Sequence, residues 1–383
     1  MTATTSTRHP GSGRRSPVDW AAAGEAAAAI APPGPAMTRE EIAELVAELR
    51  DCAGLAVDPV AETAQLEAGP DAGEVLVVDR AGWARANARS FGHLVDPVLA
   101  RALERQRLEK GRDVPDAFLG LSRALNAAET GGLLAFMATK VLGQYDVLAP
   151  DGGRLLLVAP NVAQVEREIG AVPADFRLWV ALHEETHRAQ FGANPWLAGW
   201  FRGQVTDLLD DLLADPGSTV ERFVEGLGRL PDILRGASDD PTGGAAGDGT
   251  AGGRRTPTGL VDLVQTPEQR ARLDALTAVM SLLEGHADVV MDEVGPSVVP
   301  SVAQIRARFD ARRRGTGPVD RVVRRLLGLE AKAAQYRDGA RFVRAVTDEV
   351  GIEGFNAVWA GPDALPSPAE LREPSTWVAR VHG

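Results

Sequence analysis

Two histidines and a glutamate stand together near the middle of the chain, in the pattern His183-Glu184-x-x-His187. On an α-helix, residues four apart lie on one face, one turn apart, so both imidazoles can bind a single metal ion. Glu184 lies beside them and can take a proton from a water molecule that the metal activates. The alternative is an ordinary pair of half-buried helix histidines. The glutamate between them favours the metal site.

The composition limits which residues can complete such a site. Cys52 is the single cysteine, which excludes an internal disulfide and a zinc site built from thiolates. A catalytic zinc ion keeps three protein ligands and one position for water, so the third ligand must be His, Asp or Glu. The metzincin continuation x-x-G-x-x-H fails, because Gln190 and Ala193 occupy the required positions.

A later segment, Ser281–Asp288, contains Glu284 with an aspartate four residues on, which is the gluzincin spacing. His286 lies about 200° from Glu284 around the predicted helix, so both cannot reach one ion. The apolar stripe of this helix runs through Leu273, Leu276, Met280, Leu283, Ala287 and Met291. Glu284 borders that stripe more closely than His286 does, and a carboxylate there needs a compensating partner. We therefore predict Glu284 as the third ligand, with His286 as the alternative. Asp288 is predicted to accept the outer ring N–H of a ligating histidine. For Glu284 and Asp288 the alternative is a solvated helix face or an ion pair with arginine.

Two further residues are secondary candidates. Tyr336, one of two tyrosines, has a phenol that can stabilise an oxyanion, although a packing role is the commoner one. Asn161 follows a predicted strand at Arg154–Ala159 and is a candidate for contact with a substrate backbone. We predict this strand to be the sheet edge along which an extended peptide pairs.

The elements that must position these residues are mostly helices. Thr266 and Gln269 form a capping-box signature that opens the helix carrying Glu284. Asp175 is predicted as the N-cap of the helix that carries the two histidines. The segment Gly131–Leu142 is apolar on nearly every side, which predicts a central, buried helix. With few strand candidates, the pattern indicates a predominantly α-helical α+β fold with a small sheet.

The chain divides by composition into three parts. Residues 1–16 are small, polar and rich in Gly and Pro, and we expect them to be disordered. Residues 17–110 are predicted to form an N-terminal helical region and residues 111–383 the catalytic domain. Residues 236–256 contain almost no large apolar side chain, which predicts a flexible insertion within that domain.

The charge and hydropathy of the chain exclude other classes of protein. A formal net charge of −12 argues against general nucleic-acid binding, which needs a basic face. No segment reaches the length of an uncharged membrane span. The Arg14-Arg15 pair is followed by Asp19 and Glu25 rather than by an apolar core, so a twin-arginine export signal is rejected. We therefore expect a cytoplasmic protein.

Several segments of the chain resemble the zincin-like metallopeptidase type 2 family. These proteins are zinc-dependent hydrolases of actinobacteria and their relatives, some of them associated with deazaflavin-coenzyme biosynthesis. The resemblance extends from about Val18 to Val381. It implies a zincin fold with H-E-x-x-H on the active-site helix and zinc bound by His183, His187 and Glu284. The segments that carry it are Ala31–Pro35, Trp179–Phe191, Ser281–Asp292 and Gln335–Gly339.

These observations together predict a zinc-dependent hydrolase, most simply a metallopeptidase of gluzincin type. One Zn²⁺ per chain would activate water, Glu184 would act as general base, and the substrate would be a peptide or small amide. Two alternatives stay open: a non-catalytic zinc-containing binding or scaffold protein, and a zinc amidohydrolase that acts on a small metabolite.

Overall fold

The structure is a computed structural model of the chain. The predicted insertion at 236–256 lies outside the residues that it describes, as does nearly all of the N-terminal segment 1–16. The described residues are 16, 18–69, 72–110, 116–214, 266–314 and 329–383.

Helices dominate the described residues, and the predicted α+β class with a small sheet is confirmed. None of these helices combines the length and the apolar character needed to cross a membrane. In chain order the elements are α1 (Trp20–Ile30), α2 (Arg39–Leu55), α3 (Val57–Ala64), β1 (Val75–Val78), α4 (Arg80–Lys110), α5 (Asp116–Ala138), β2 (Gly143–Asp146), β3 (Arg154–Val158), α6 (Ala159–Ile169), α7 (Pro173–Ala193), α8 (Pro195–Ala214), α9 (Pro267–Val298), α10 (Val302–Arg314), α11 (Leu329–Phe355), 3₁₀ turns at Asn356–Trp359 and Pro362–Ala364, α12 (Pro368–Arg372) and α13 (Pro374–His382).

The three strands form one sheet in the order β1-β3-β2. β3 pairs in parallel with β1 and antiparallel with β2, so it is the central strand. The prediction that it forms the sheet edge is therefore wrong. Residues 155–158 of β3 are at most 1% exposed, because both faces of the strand are covered. A strand buried on both faces has a continuous apolar sequence, but its position in the sheet depends on pairing with β1, which lies about 80 residues earlier and which the local pattern does not show. The edge strands are β1 and β2.

The segment predicted as a central helix, Gly131–Leu142, is helical only to Ala138. Its helix, α5, buries one face, which includes Leu134 and Ala138, against α1 and the sheet. Gly131 lets α1 approach closely, because a Cβ there would lie 2.8 Å from the Cβ of Ala26. The helix is thus half-buried, since apolar composition does not by itself specify which sides are covered.

The capping box at the start of α9 forms as predicted, with Thr266 and Gln269 each bonded to the other's main chain. The predicted N-cap role of Asp175 is wrong. Val172 precedes α7, and the Asp175 carboxylate instead accepts a hydrogen bond of 2.8 Å from Ser301 N at the start of α10. The aspartate therefore joins α7, which carries the two histidines, to the start of α10.

Close contact between α9 and α11 requires two glycines. A Cβ on Gly285 would lie 2.2 Å from the carbonyl carbon of Gly339, and a Cβ on Gly339 would lie 1.9 Å from the Ser281 oxygen. Any larger residue at either position would push the helices apart. Gly285 directly follows Glu284, so this contact also holds the predicted third ligand in place.

The main hydrophobic core lies between α2, α7, α9 and α11. It includes Leu49, Leu182, Leu282 and Phe342, none of which is more than 1% exposed. Segments on both sides of residue 110 contribute to this core. The proposed division into a helical region and a catalytic domain stays a prediction, and the shared core shows that the two parts pack together.

Candidate metal centre

The three residues predicted as metal ligands meet between α7 and α9. His183 and His187 lie one turn apart on α7, and their Nε2 atoms are 3.2 Å apart. Glu284 on α9 places Oε2 3.7 Å from His183 Nε2 and Oε1 3.6 Å from His187 Nε2. One ligand atom from each residue lies within 4.8 Å of the others.

The outer ring nitrogens of the histidines face hydrogen-bond acceptors. His187 Nδ1 lies 2.9 Å from Gln190 Oε1, and His183 Nδ1 lies 3.3 Å from the Met291 sulfur. A neutral imidazole that donates from Nδ1 carries its lone pair on Nε2. These acceptors favour the tautomer with a proton on Nδ1, which directs the Nε2 lone pairs inward as a metal ion requires.

The inward-facing atoms of this site suit a zinc ion. In that tautomer two nitrogen lone pairs and a carboxylate converge, an arrangement that a cation stabilises. Zn–N bonds of about 2.0–2.1 Å in a tetrahedron place ligand atoms about 3.3 Å apart. The 3.2 Å between the two Nε2 atoms is close to that spacing, and each Glu284 oxygen lies 3.6–3.7 Å from one of these nitrogens. Imidazole and carboxylate are also the ligands that zinc takes when thiolates are absent.

Glu184 lies beside the cluster and against the first residue of β2. Its side chain is buried, at 5% exposure, and a Cβ on Gly143 would lie 2.4 Å from its Cγ and 2.6 Å from its Oε1. Burial, followed by the charge of Glu284, raises the pKa of the Glu184 carboxyl well above its ordinary value. Its carboxylate makes no hydrogen bond or ion pair with the described residues. The group is therefore free to exchange a proton at this site.

His286, the alternative third ligand, lies behind the site rather than in it. It is fully buried, with its ring 5.2 Å from that of Phe355 and 5.6 Å from that of Trp359. Its Nδ1 accepts a hydrogen bond of 2.9 Å from Gln190 Nε2. Burial, helped by the neighbouring His187, lowers the pKa of His286 to about 3. Between the two candidates, the structure brings Glu284 to the histidines.

Comparison with known proteins agrees with this geometry. The sequence model of the zincin-like metallopeptidases matches residues 18–378. The chain belongs to this family. The crystal structure of a proposed hydrolase with a novel fold from Chloroflexus aurantiacus is similar to it, with 31% sequence identity and a TM-score of 0.64. That similarity covers 95% of this chain and 99% of the other. None of the curated proteins compared with the chain matches it.

Membership of the zincin-like family confirms the predicted resemblance and fold. Together with the likeness to a proposed hydrolase, it supports a zinc-dependent hydrolase.

The other predicted site residues of this zincin-like protein are Asp288, Tyr336 and Asn161. Asp288 accepts hydrogen bonds from Arg306, whose Nη1 lies 3.5 Å from Oδ1 and whose Nη2 donates to the Asp288 main-chain oxygen at 2.7 Å. The histidine rings contact Gln190 and Met291, and the outer role of Asp288 stays a prediction. Tyr336 belongs to α11, at a position whose side chain is not described, and its role also stays a prediction.

Asn161 is 2% exposed and lies in the first turn of α6. Its Nδ2 donates to the carbonyls of Ala138 and Val141 at 2.7 and 2.6 Å, and its Oδ1 accepts from Arg80 Nε at 2.7 Å. Both amide hydrogens are thus used within the core. The predicted substrate contact does not fit this position, because the segment after β3 turns directly into a buried helix.

Sequence reasoning missed three residues that shape the site. Gln190 follows His187 by three residues, so helical spacing alone places it on the ligand face. Met291 was predicted only as part of an apolar stripe. Gly143 has no local signal, because its role depends on the approach of β2 to α7.

Proposed function

We propose that this zincin-like protein is a zinc-dependent hydrolase of gluzincin type that cleaves a peptide or small amide. One zinc ion per chain is held by His183, His187 and Glu284. The observation that carries the proposal is the convergence of three acceptor atoms on one point, beside the buried and unpaired carboxylate of Glu184.

The proposed chemistry divides between the ion and the chain. Bound zinc supplies a Lewis acid that polarises a carbonyl group and lowers the pKa of water. Glu184 takes a proton from the attacking water and returns it to the leaving nitrogen. Its raised pKa suits both steps, because a carboxyl with a pKa nearer to neutrality accepts and releases a proton more readily.

The free edge of β2 is the proposed substrate-binding strand. Val158 N donates to Leu142 O at 2.8 Å, so in the alternating antiparallel ladder the main-chain groups of Gly143 point away from β3. An extended peptide that added to this edge would lie beside Glu184, because Gly143 contacts its side chain. This proximity supports a peptide as the substrate. It also replaces the predicted pairing with β3.

A scaffold function with structural zinc is the less favourable alternative. Structural zinc sites have four protein ligands, whereas three residues converge in the described part of this chain. A structural site also has no need of the unpaired carboxylate of Glu184, whose burial costs free energy. An amidohydrolase that acts on a small metabolite would use the same groups.

Metal analysis of the purified full-length protein tests the ligand set. We expect about one zinc per wild-type chain. The zinc should be lost in His183→Ala and Glu284→Ala and kept in Glu184→Gln. His286→Leu is the matched comparison and should keep the metal. Wild-type protein without zinc after loading would contradict the proposal, and retention in Glu284→Ala with loss in His286→Leu would contradict the third ligand.

A digest of a peptide library tests the reaction. We expect Glu184→Gln to cleave about 10²–10⁴-fold more slowly than wild type, which is the usual contribution of a general base. Equal cleavage by both would indicate a contaminating protease. If zinc-loaded wild type cleaves small amides but no peptide, the amidohydrolase alternative is correct.

A further inference from the structure

Gln190 connects the two helices that carry the metal ligands. It is fully buried on α7, and its Oε1 lies 2.9 Å from His187 Nδ1. Its Nε2 donates to the main-chain oxygen of Leu283 at 3.0 Å and to His286 Nδ1 at 2.9 Å. Leu283 directly precedes Glu284. One side-chain amide therefore contacts one ligand and the backbone next to another.

The Leu283 carbonyl determines which way the amide faces. A carbonyl oxygen only accepts hydrogen bonds, so the Gln190 nitrogen must face it and Gln190 Oε1 must face His187. The opposite orientation would place two carbonyl oxygens 3.0 Å apart. It would also direct an N–H at His187 Nδ1, which would then carry the lone pair. The observed orientation keeps the proton on Nδ1 and the lone pair on Nε2.

His286 accepts the second hydrogen of the amide. Its ring is held between Phe355 and Trp359, at 5.2 and 5.6 Å between ring centroids. Both N–H groups of Gln190 thus have fixed acceptors, one on the backbone and one on a clamped ring. The amide cannot rotate without losing both bonds in a buried site, which costs about 1–3 kcal/mol for each unsatisfied group.

We propose that Gln190 is a positioning residue of the metal centre. Its amide selects the tautomer of His187 that binds metal through Nε2. It also fixes the position of that ring relative to Glu284. Glutamine suits this position because one planar group supplies an acceptor for His187 together with two donors for Leu283 and His286. The proposal rests on zinc binding by the proposed ligand set, and it predicts a specific effect on metal affinity.

Zinc affinity of full-length variants, measured by competition with a chromogenic chelator, tests the proposal. Gln190→Met keeps the side-chain volume and removes every hydrogen bond, and we expect zinc binding about 10–100-fold weaker than wild type. Gln190→Glu keeps the acceptor for His187, so its affinity should lie between those of Gln190→Met and wild type. Between these two variants the metal-free Gln190→Met should have the higher melting temperature, because methionine suits a buried position and a carboxylate does not. Both variants should melt below wild type, which keeps the hydrogen bonds to Leu283 and His286.

The opposite orders of zinc affinity and melting temperature in these two variants separate positioning from packing. If Gln190 only filled space, zinc affinity would follow the melting temperatures, with Gln190→Met the better binder. Gln269→Leu is the matched control, since Gln269 is also buried on α9 and donates to Asp211 O at 3.2 Å. It should lower the melting temperature and leave zinc affinity within about twofold of wild type.

Zinc binding by Gln190→Met within about twofold of wild type would overturn the proposal. If Gln190→Met fails to fold, Gln190→Asn replaces it, because its amide is one methylene too short to reach both partners, and it must lose at least about tenfold. Wild-type protein that binds no zinc would overturn the proposed function as well. Tight binding by wild type and by all Gln190 variants would overturn the positioning role alone.

Discussion

The two ends of strand β2 lie beside buried carboxylates of opposite character. At the far end, Asp146 is 2% exposed and accepts hydrogen bonds from Arg154 Nη2 at 2.9 Å and Ser90 Oγ at 2.7 Å. At the near end, Glu184 is 5% exposed and contacts Gly143 without a hydrogen bond to any described residue. The two carboxylates are similarly buried, but only one is paired.

This difference is the one expected between a structural carboxylate and a catalytic one. A buried carboxylate destabilises a fold by several kcal/mol unless it is paired, so Asp146 with its partners is consistent with the stability of the sheet. Burying Glu184 without a partner costs folding free energy, so stability alone does not explain its position. An unpaired carboxyl with a raised pKa beside three converging ligand atoms is typical of a catalytic site.

The largest expected effect on stability is at the paired end. Asp146→Ala leaves the partly buried Arg154 without its carboxylate, and we expect the free energy of unfolding to fall by about 3 kcal/mol. Urea denaturation in the presence of a chelator measures this change. Asp151→Ala, an exposed substitution in the turn after β2, is the control and should change stability by less than about 0.5 kcal/mol. A loss below about 1 kcal/mol in Asp146→Ala would contradict the structural role.

At the unpaired end, the space for Glu184 depends on a glycine. Gly143→Ala would place a methyl group 2.4–2.6 Å from the Glu184 side chain, so one of the two must move. We expect a loss of about 1–3 kcal/mol in stability and slower hydrolysis with little change in zinc affinity. Gly203→Ala on α8, where a Cβ meets no atom within 4 Å, should instead stabilise the protein by about 0.5–1 kcal/mol. Unchanged activity in Gly143→Ala would show that this contact does not position Glu184.

Glu184→Gln removes the unpaired charge and should raise the stability of the metal-free protein by about 1 kcal/mol at neutral pH. Burial raises the pKa of Glu184 in the folded wild type. As the pH falls, the folded protein therefore takes up a proton at a higher pH than the unfolded chain does, and the wild type becomes more stable. The gain should therefore shrink as the pH falls from neutrality toward the ordinary pKa of glutamate. Denaturation of both proteins across this pH range measures it. A variant less stable than wild type at neutral pH would show that the Glu184 charge is compensated.

The smallest effect is expected between the two ends. Tyr145 donates to Ala72 O at 3.3 Å and stacks on Phe191, with 5.5 Å between the ring centroids. Tyr145→Phe keeps the stacking and loses one long hydrogen bond, so stability should fall by about 0.5 kcal/mol and zinc affinity should not change. A thermal melt and the chelator titration check both. A large change in zinc affinity would show that β2 influences the proposed metal ligands as well as Glu184.

Local patterns predicted part of this arrangement well. One helix carries His183, Glu184 and His187, so their spacing along the sequence places them together. The capping box of Thr266 and Gln269 forms within one helical turn. Such short-range features depend on backbone periodicity alone. The choice of Glu284 over His286 also followed from helical geometry, although the spacing could not show that His286 lies buried behind Gln190.

Other predictions failed because distant parts of the chain decide them. Asp175 bonds to Ser301, 126 residues away, rather than to its own helix. Asn161 bonds to Arg80 and to the end of α5, which no local pattern reveals. Side-chain amides and carboxylates accept whichever donor the fold brings near, so their partners are set by packing.

The sequence by itself determined the chemistry available to this protein: two imidazoles and a carboxylate at helical spacing, no thiolate ligands, and a later helix with Glu284. Only the tertiary structure decided how that chemistry is arranged. The close crossing of α9 on α11 at Gly285 and Gly339 holds Glu284 in place opposite the histidines. The approach of Gly143 to Glu184 depends on how β2 packs against α7. Contacts between elements far apart in sequence follow from the shape of the assembled core, which no single helix or strand encodes.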